Sequence, residues 1–290
     1  MMEDALRSLG RGEVHNPLRQ IVRAPDASGM LGLMPAYRGG ERPLYGLKEV
    51  CVFPGNPARG LDTHLGAVLL HDGETGELLA IANASAITAI RTAAVSAVAT
   101  KLLARPEAKT LAILGAGVQA RTHLEAMRLV RPIEDVRVFS RTLAKAEKLG
   151  RVASSAEEAI RGADIIVTAT SSKEPVLERV WIADGAHINA VGSSVKSARE
   201  LDGETVRSAS LFVDRRESTM NESGDYLMAG SGAEIRGELG ELLLGTVQGR
   251  RSETEITLFK SLGLAIEDLA SASFLYDKAR RTGEGTGVDF

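Results

Sequence analysis

Three features of the sequence predict an α/β protein built in two parts. A glycine turn at 115–117 joins an apolar run to a helix-like segment, near-continuous apolar runs recur after it, and strand–turn–strand alternation precedes it. Residues 110–114 form the first of the later strands. Gly115 permits the sharp turn that ends it, Gly117 lets the backbone approach a bound group, and Ala120 is small enough for the following helix to lie close to the strand. Residues 135–141 predict a second strand and 142–149 a short helix. Ser154 and Ser155 precede two acids, the start signal of a helix that runs to Arg161. Residues 163–170, 186–192 and 210–214 supply further strands. Runs this apolar suit a parallel sheet covered by helices on both faces. Residues 107–257 are therefore expected to form a Rossmann-type, doubly wound domain. Strand, Gly-x-Gly-x-x-Ala turn and helix, in that order, would seat a dinucleotide diphosphate on the N–H groups of the helix N-terminus. Gly115, Ala116, Gly117, Val118 and Gln119 are the expected cofactor-binding residues there.

The first hundred residues carry a different pattern. Residues 65–82 predict two strands around a turn at 72–76, and 49–53 another short strand stopped by Pro54. This is an antiparallel or mixed β region. Residues 88–104, rich in Ala, Thr and Val, predict a connecting helix. The tail, 262–281, has apolar residues at helical spacing and is expected to pack back on the first region. Residues 1–106 with 258–290 then make the second domain.

Composition narrows the function classes. An apolar content of 44% is ample for a buried core. A formal net charge of −3 gives no electrostatic ground for nucleic acid or an anionic membrane as partner, and 4% aromatic content leaves little for base stacking. Cys51 is the only cysteine, so no intrachain disulfide forms, which fits a reducing, cytoplasmic setting. No apolar run is expected to span a bilayer, and the charged first ten residues lack the apolar region of a signal peptide. The histidines are scattered without ligand spacing, so no metal site is expected, and no Gly-x-Ser-x-Gly elbow occurs.

The second strand bears on the choice of nucleotide. An NAD site usually has an acid at its end, bonded to the ribose 2′-hydroxyl. Here the strand ends Val138-Phe139-Ser140-Arg141-Thr142, with no acid. Arg141 suits a 2′-phosphate as a bidentate donor, and Ser140, Thr142 and Lys145 add further donors. The expected cofactor is NADP(H), ahead of NAD(H).

Several segments together resemble the ornithine cyclodeaminase / mu-crystallin family. They are Leu33-Met-Pro-Ala-Tyr37, Arg91-Thr-Ala-Ala-Val-Ser-Ala-Val-Ala-Thr100, Ile113-Leu-Gly-Ala-Gly-Val-Gln-Ala120, Gly185-Ala-His-Ile-Asn-Ala-Val-Gly192, Glu222-Ser-Gly-Asp225 and Phe259-Lys-Ser-Leu-Gly263. The resemblance runs in order over nearly the whole chain. It implies a homodimer with a Rossmann domain and a substrate/dimerisation domain built from both chain ends. Family members carry a further N-terminal strand and part of a helix ahead of the point matching Met2, so a shortened dimerisation domain is expected. The implied activity is NAD(P)H-dependent reduction of small imino or keto acids, such as cyclic ketimines bearing a carboxylate, with an alanine dehydrogenase reaction as a close variant. The alternatives are an ornithine cyclodeaminase, which uses NAD catalytically and releases ammonia to give proline, and a non-catalytic binder of cofactor or small ligands.

The shared chemistry, hydride exchange at a carbon bearing nitrogen and a carboxylate, asks for a cation, a proton route and a surface for the nicotinamide. By resemblance, Arg19 binds the substrate carboxylate through paired hydrogen bonds, and Lys48 contacts the carboxylate or transfers a proton. Arg91 matches an arginine close to both substrate and cofactor diphosphate. Thr63 and His64 match positions beside the nicotinamide; His64 either shuttles a proton or packs. Glu222 and Asp225 are alternative carboxylates for the substrate nitrogen, or helix-capping acids. Thr170 and Ser171 follow a strand end, where open α/β sheets place ligands. Val191 and Ser261 match further cofactor contacts. His187, inside a strand, is expected to be structural.

Overall fold

A computed structural model describes residues 1–288 of the chain. The chain divides into two compact units, Met1–Arg91 with Leu264–Phe290, and Thr92–Gly263. In the first unit α1 (Met2–Gly10) is followed by β1 (Val14–His15), β2 (Gln20–Val22), β3 (Met30–Arg38), β4 (Leu44–Val52), β5 (His64–Asp72) and β6 (Leu78–Asn83). These strands form one six-stranded antiparallel sheet in the order β1-β3-β4-β5-β6, with β2 also paired to β3. The β5–β6 turn is closed by Asp72 Oδ1, which accepts from the Glu74 and Thr75 N–H groups, and by Gly76 at φ +78. A period of two then sorts the side chains. Leu44 and Lys48 of β4, with Val68 and Leu70 of β5, are buried on one face, whereas Tyr45, Leu65 and Ile81 stay exposed on the other.

α2 (Ala84–Leu103) follows β6 directly. The second unit then carries β7 (Thr110–Leu114), α3 (Val118–Val130), β8 (Asp135–Phe139), α4 (Leu143–Ala146), β9 (Arg151–Val152), α5 (Ala156–Ile160), β10 (Ile165–Thr168), β11 (His187–Ala190), α6 (Gly203–Ser208), β12 (Ser210–Val213), α7 (Arg216–Glu222), α8 (Gly224–Leu227), β13 (Ile235–Glu238), α9 (Leu239–Leu244) and β14 (Thr257–Lys260). Its eight strands are all parallel, in the order β13-β12-β14-β11-β10-β7-β8-β9. β7 lies beside both β8 and β10, so the chain reverses its direction of travel across the sheet between β7 and β10, at the switch point where such sheets bind ligands. Both faces are buried. Leu111 and Ile113 pack with Ala120, Leu124 and Met127, while Ala112 and Leu114 pack with Ala159 and Ile160.

α10 (Ala265–Thr282) belongs to the first unit and packs on α1 and on β3 to β6. A Cβ on Gly46 would lie 2.9 Å from Leu269 Cβ, so glycine at this point of β4 sets how closely the helix approaches.

The parallel and antiparallel sheets, the helix capped by Ser155 and the helical tail match the expectations in kind. Several elements differ in extent. The helix expected over 142–149 is only Leu143–Ala146, and the strand expected over 49–53 begins at Leu44. β1, β2, β3, β9, β13 and β14 were not anticipated, and β3 runs unbroken through Pro35. Pro35 falls in the gap between the β1 and β2 pairings, where its missing N–H costs no ladder bond. β14 lies between β11 and β12 and carries the second unit on to Gly263, beyond the expected boundary at 257. Finally, α2 is long and apolar enough to cross a membrane, against the expectation that no run is. Most of it is buried, and it presents polar groups to other polar groups: Ser96 Oγ lies 2.9 Å from His123 Nε2, and Asn189 Nδ2 donates to Thr100 Oγ1 at 2.9 Å. These are the contacts of a core helix.

Candidate active site

The second unit gathers one group of candidates along one edge of its sheet. Because all the strands are parallel, their C-terminal ends share that edge. Gly115 to Gln119 follow β7, Ser140 to Lys145 follow β8, Thr170 and Ser171 follow β10, Val191 follows β11 and Ser261 follows β14. Gly115 has φ +114, and a Cβ there would meet Ala169 O at 2.4 Å, so this turn demands glycine twice over. Gly117 is the N-cap of α3 and brings no side-chain cap; a Cβ on it would meet nothing within 4 Å. Open space above the N-terminus of a 13-residue helix fits a dinucleotide diphosphate. Ala120 is fully buried. Ser140 Oγ accepts from Thr142 N–H at 3.2 Å, and Arg141, Thr142 and Lys145 are exposed.

Beneath this edge lies a buried network that sequence reasoning missed. Glu200, fully buried, accepts hydrogen bonds from Thr168 Oγ1 (2.8 Å), Thr170 N–H (2.7 Å), Thr170 Oγ1 (2.8 Å) and Gly192 N–H (2.7 Å). Withdrawal from water raises its pKa, against the pull of the Lys260 cation and these donors. Asp225 Oδ1 accepts from Glu200 N–H (2.7 Å) and Leu201 N–H (3.0 Å), and Asp225 Oδ2 is 2.8 Å from Lys260 Nζ. Lys260 Nζ in turn donates to Ser193 O at 2.6 Å. Asp225 thus holds the backbone that follows β11 through Oδ1 while Oδ2 pairs with Lys260. Glu222 is half-buried at the end of α7. His187 is buried with Nδ1 2.9 Å from Thr257 Oγ1, and burial lowers its pKa to about 3, as expected of a structural histidine.

The first unit gathers the second group. Lys48, on the inner face of β4, is only 4% exposed. Its Nζ donates to Thr88 Oγ1 (2.5 Å) and to Asp268 Oδ1 (3.2 Å). Arg91 Nε donates to the same Asp268 oxygen at 3.2 Å, and Arg91 Nη1 to Glu267 Oε2 at 2.8 Å. Thr88 and Arg91 sit three apart on α2 and so share a face. Glu267 and Asp268 occupy the first turn of α10, where the helix dipole favours acids. Two buried cations therefore meet two buried carboxylates. Burial lowers the Lys48 pKa to about 8, with Asp268 opposing that shift and Arg91 adding to it. Desolvation, then the Lys48 charge, lowers the pKa of His64 at the start of β5. Thr63 is half-buried beside it, and Arg19 is half-buried in the segment between β1 and β2. Thr88, Glu267 and Asp268 were not anticipated: acids in a first helical turn are ordinary in sequence, and only the tertiary fold brings them to Lys48 of β4 and Arg91 of α2.

The family model of the ornithine cyclodeaminase/mu-crystallin family matches residues 1–283. The mouse (Mus musculus) ketimine reductase mu-crystallin is 45% identical over 286 residues, 95% of this chain and 90% of that protein. Among solved structures, Thermococcus litoralis Δ1-pyrroline-2-carboxylate reductase in complex with NADH and L-proline superposes with a TM-score of 0.94 at 41% identity, covering 99% of this chain and 94% of its own. An archaeal alanine dehydrogenase dimer with bound NAD superposes with a TM-score of 0.93 at 33% identity, covering 100% and 92%.

Proposed function

The chain belongs to the ornithine cyclodeaminase/mu-crystallin family, and from that premise we propose that it is a nicotinamide-dependent reductase of small cyclic imino acids bearing a carboxylate, working as a homodimer and preferring NADP(H). The observation that carries the reading is the buried Lys48–Asp268–Arg91 cluster, in which an amine titrating near neutrality lies beside a fixed guanidinium. Reduction of a C=N bond needs a hydride at carbon, a proton at nitrogen and a cation for the carboxylate. A bound nicotinamide supplies the hydride. Lys48, with a pKa of about 8, exchanges a proton at the substrate nitrogen without leaving the physiological range. Arg19 and Arg91 bind the carboxylate. Gly115 to Gln119 and the α3 N-terminus hold the diphosphate, and Ser140, Arg141, Thr142 and Lys145 take the 2′-phosphate. Thr63, His64, Thr170, Ser171, Val191 and Ser261 complete the nicotinamide side. The exposed apolar residues Tyr45, Leu65 and Ile81 on the outer face of the six-stranded sheet receive the second copy, in keeping with the dimeric alanine dehydrogenase relative.

The reading is tested by following NADPH and NADH oxidation with five- and six-membered cyclic ketimine carboxylates and with pyruvate plus ammonia. Turnover of a cyclic imine, faster with NADPH, is expected. Ammonia release from ornithine with no oxidation of reduced cofactor by any cyclic imine overturns it.

A further inference from the structure

We propose that Asp268 is the positioning residue for the proton-exchanging centre: one buried carboxylate oxygen, set by the first turn of α10, fixes the Lys48 amine and the Arg91 guanidinium relative to each other. The inference rests on the reductase reading for its kinetic consequence, and on geometry alone for the placement. Asp268 is 1% exposed, and its Oδ1 accepts from Lys48 Nζ and from Arg91 Nε, each at 3.2 Å. Glu267 does a different job, since its Oε2 accepts from Arg91 Nη1 and so holds the guanidinium from a second side. Glu267 reaches Lys48 only through its charge, whereas Asp268 bonds both cations through one oxygen, so removing Asp268 would uncouple the two. Thr88 anchors the amine from the α2 side while donating its own proton to Ala84 O at 2.7 Å.

The groups facing Lys48 are His64 from β5, Thr88 and Arg91 from α2, and Glu267 and Asp268 from α10. Burial and Arg91 push the amine toward its neutral form, and Asp268 is the largest influence in the other direction. Loss of the Asp268 charge therefore lowers the Lys48 pKa further, which leaves more of the amine unprotonated at neutral pH and so weakens it as a proton donor.

The test is carried out on the full chain. In the wild-type protein, lysine side-chain NMR is expected to show Lys48 titrating near pH 8, and the chemical shift of the Asp268 carboxyl carbon is expected to follow that loss of the Lys48 proton across their contact. In Asp268→Asn the Lys48 titration is expected to move down by about 1 unit or more. The alkaline limb of kcat/KM for imine reduction should move with it, and Asp268→Glu should return the limb toward its wild-type position. An unmoved Lys48 titration in Asp268→Asn overturns the proposal. A flat Asp268 signal in the wild type also overturns it, and that measurement needs no variant to fold. Failure of the functional reading would look different. If Lys48→Met keeps the alkaline limb, Lys48 is not the proton-exchanging group, while the NMR titrations still decide the role of Asp268.

Discussion

At the end of β8, Ser140, Arg141, Thr142 and Lys145 set hydroxyls and cations where an NAD site holds a carboxylate. If Arg141 takes the 2′-phosphate, Arg141→Ala removes a charge-assisted contact worth about 1.5–3 kcal/mol, roughly a tenfold to hundredfold loss of affinity. Fluorescence titration should show that loss for NADPH and almost none for NADH. Equal losses, or tighter wild-type binding of NADH, would refute the preference. The Lys48 cluster was only half legible. Lys48 and Arg91 came from resemblance, but Asp268 is 220 positions from Lys48 and 177 from Arg91, and no local pattern pairs them. The same holds for Asp225, whose carboxylate is taken up by Glu200 N–H, Leu201 N–H and Lys260. In sequence, a carboxylate that touches substrate and one that holds a loop are the same letter.

Among the elements, the β7–turn–α3 unit separates two roles of glycine. Gly115 is needed by the fold, at φ +114 with Ala169 O 2.4 Å from where a Cβ would stand. Gly117 has an ordinary φ of −87 and open space around it. Gly115→Ala should lower stability by about 2–4 kcal/mol, combining backbone strain and a close backbone contact, and thermal melting would register it. Gly117→Ala should melt within a few degrees of the wild type yet bind either dinucleotide more weakly. A Gly117→Ala protein with unchanged binding would remove the diphosphate from this turn. β7, β10, β11 and β12 were readable as apolar runs, because a sheet covered on both faces leaves no polar alternation to misread, whereas β9, β13 and β14 were not read as strands. β3 was not read as a strand, and the tolerance of its Pro35 depends on where β1 and β2 stop along it.

For the molecule as a whole, the outer face of the antiparallel sheet is the feature that a monomer does not explain. Tyr45, Leu65 and Ile81 are 51%, 40% and 61% exposed on adjacent strands, and the Tyr37 and Tyr45 rings meet on that face at a tilt of 45° with centroids 4.8 Å apart. Exposed apolar surface of this kind is common at interfaces, and in the dimer proposed above a two-fold axis would let one face serve both copies. Light scattering over a dilution series should give a mass near twice 30.8 kDa at micromolar concentration, and Ile81→Lys should shift the balance toward monomer. An active wild-type monomer at that concentration would overturn the dimer.

Sequence by itself determined the kind of fold and the place of the glycine turn, because both rest on short-range physics: periodicity, glycine conformation and the approach of a helix to a strand. It also carried the family. Tertiary structure alone decided which charges meet. α10 delivers Glu267 and Asp268 to Lys48 and Arg91, and the end of β14 delivers Lys260 to Asp225. A buried charge is tolerated only beside a partner that cancels its desolvation, and that partner is chosen by packing between distant segments, which composition and spacing do not encode.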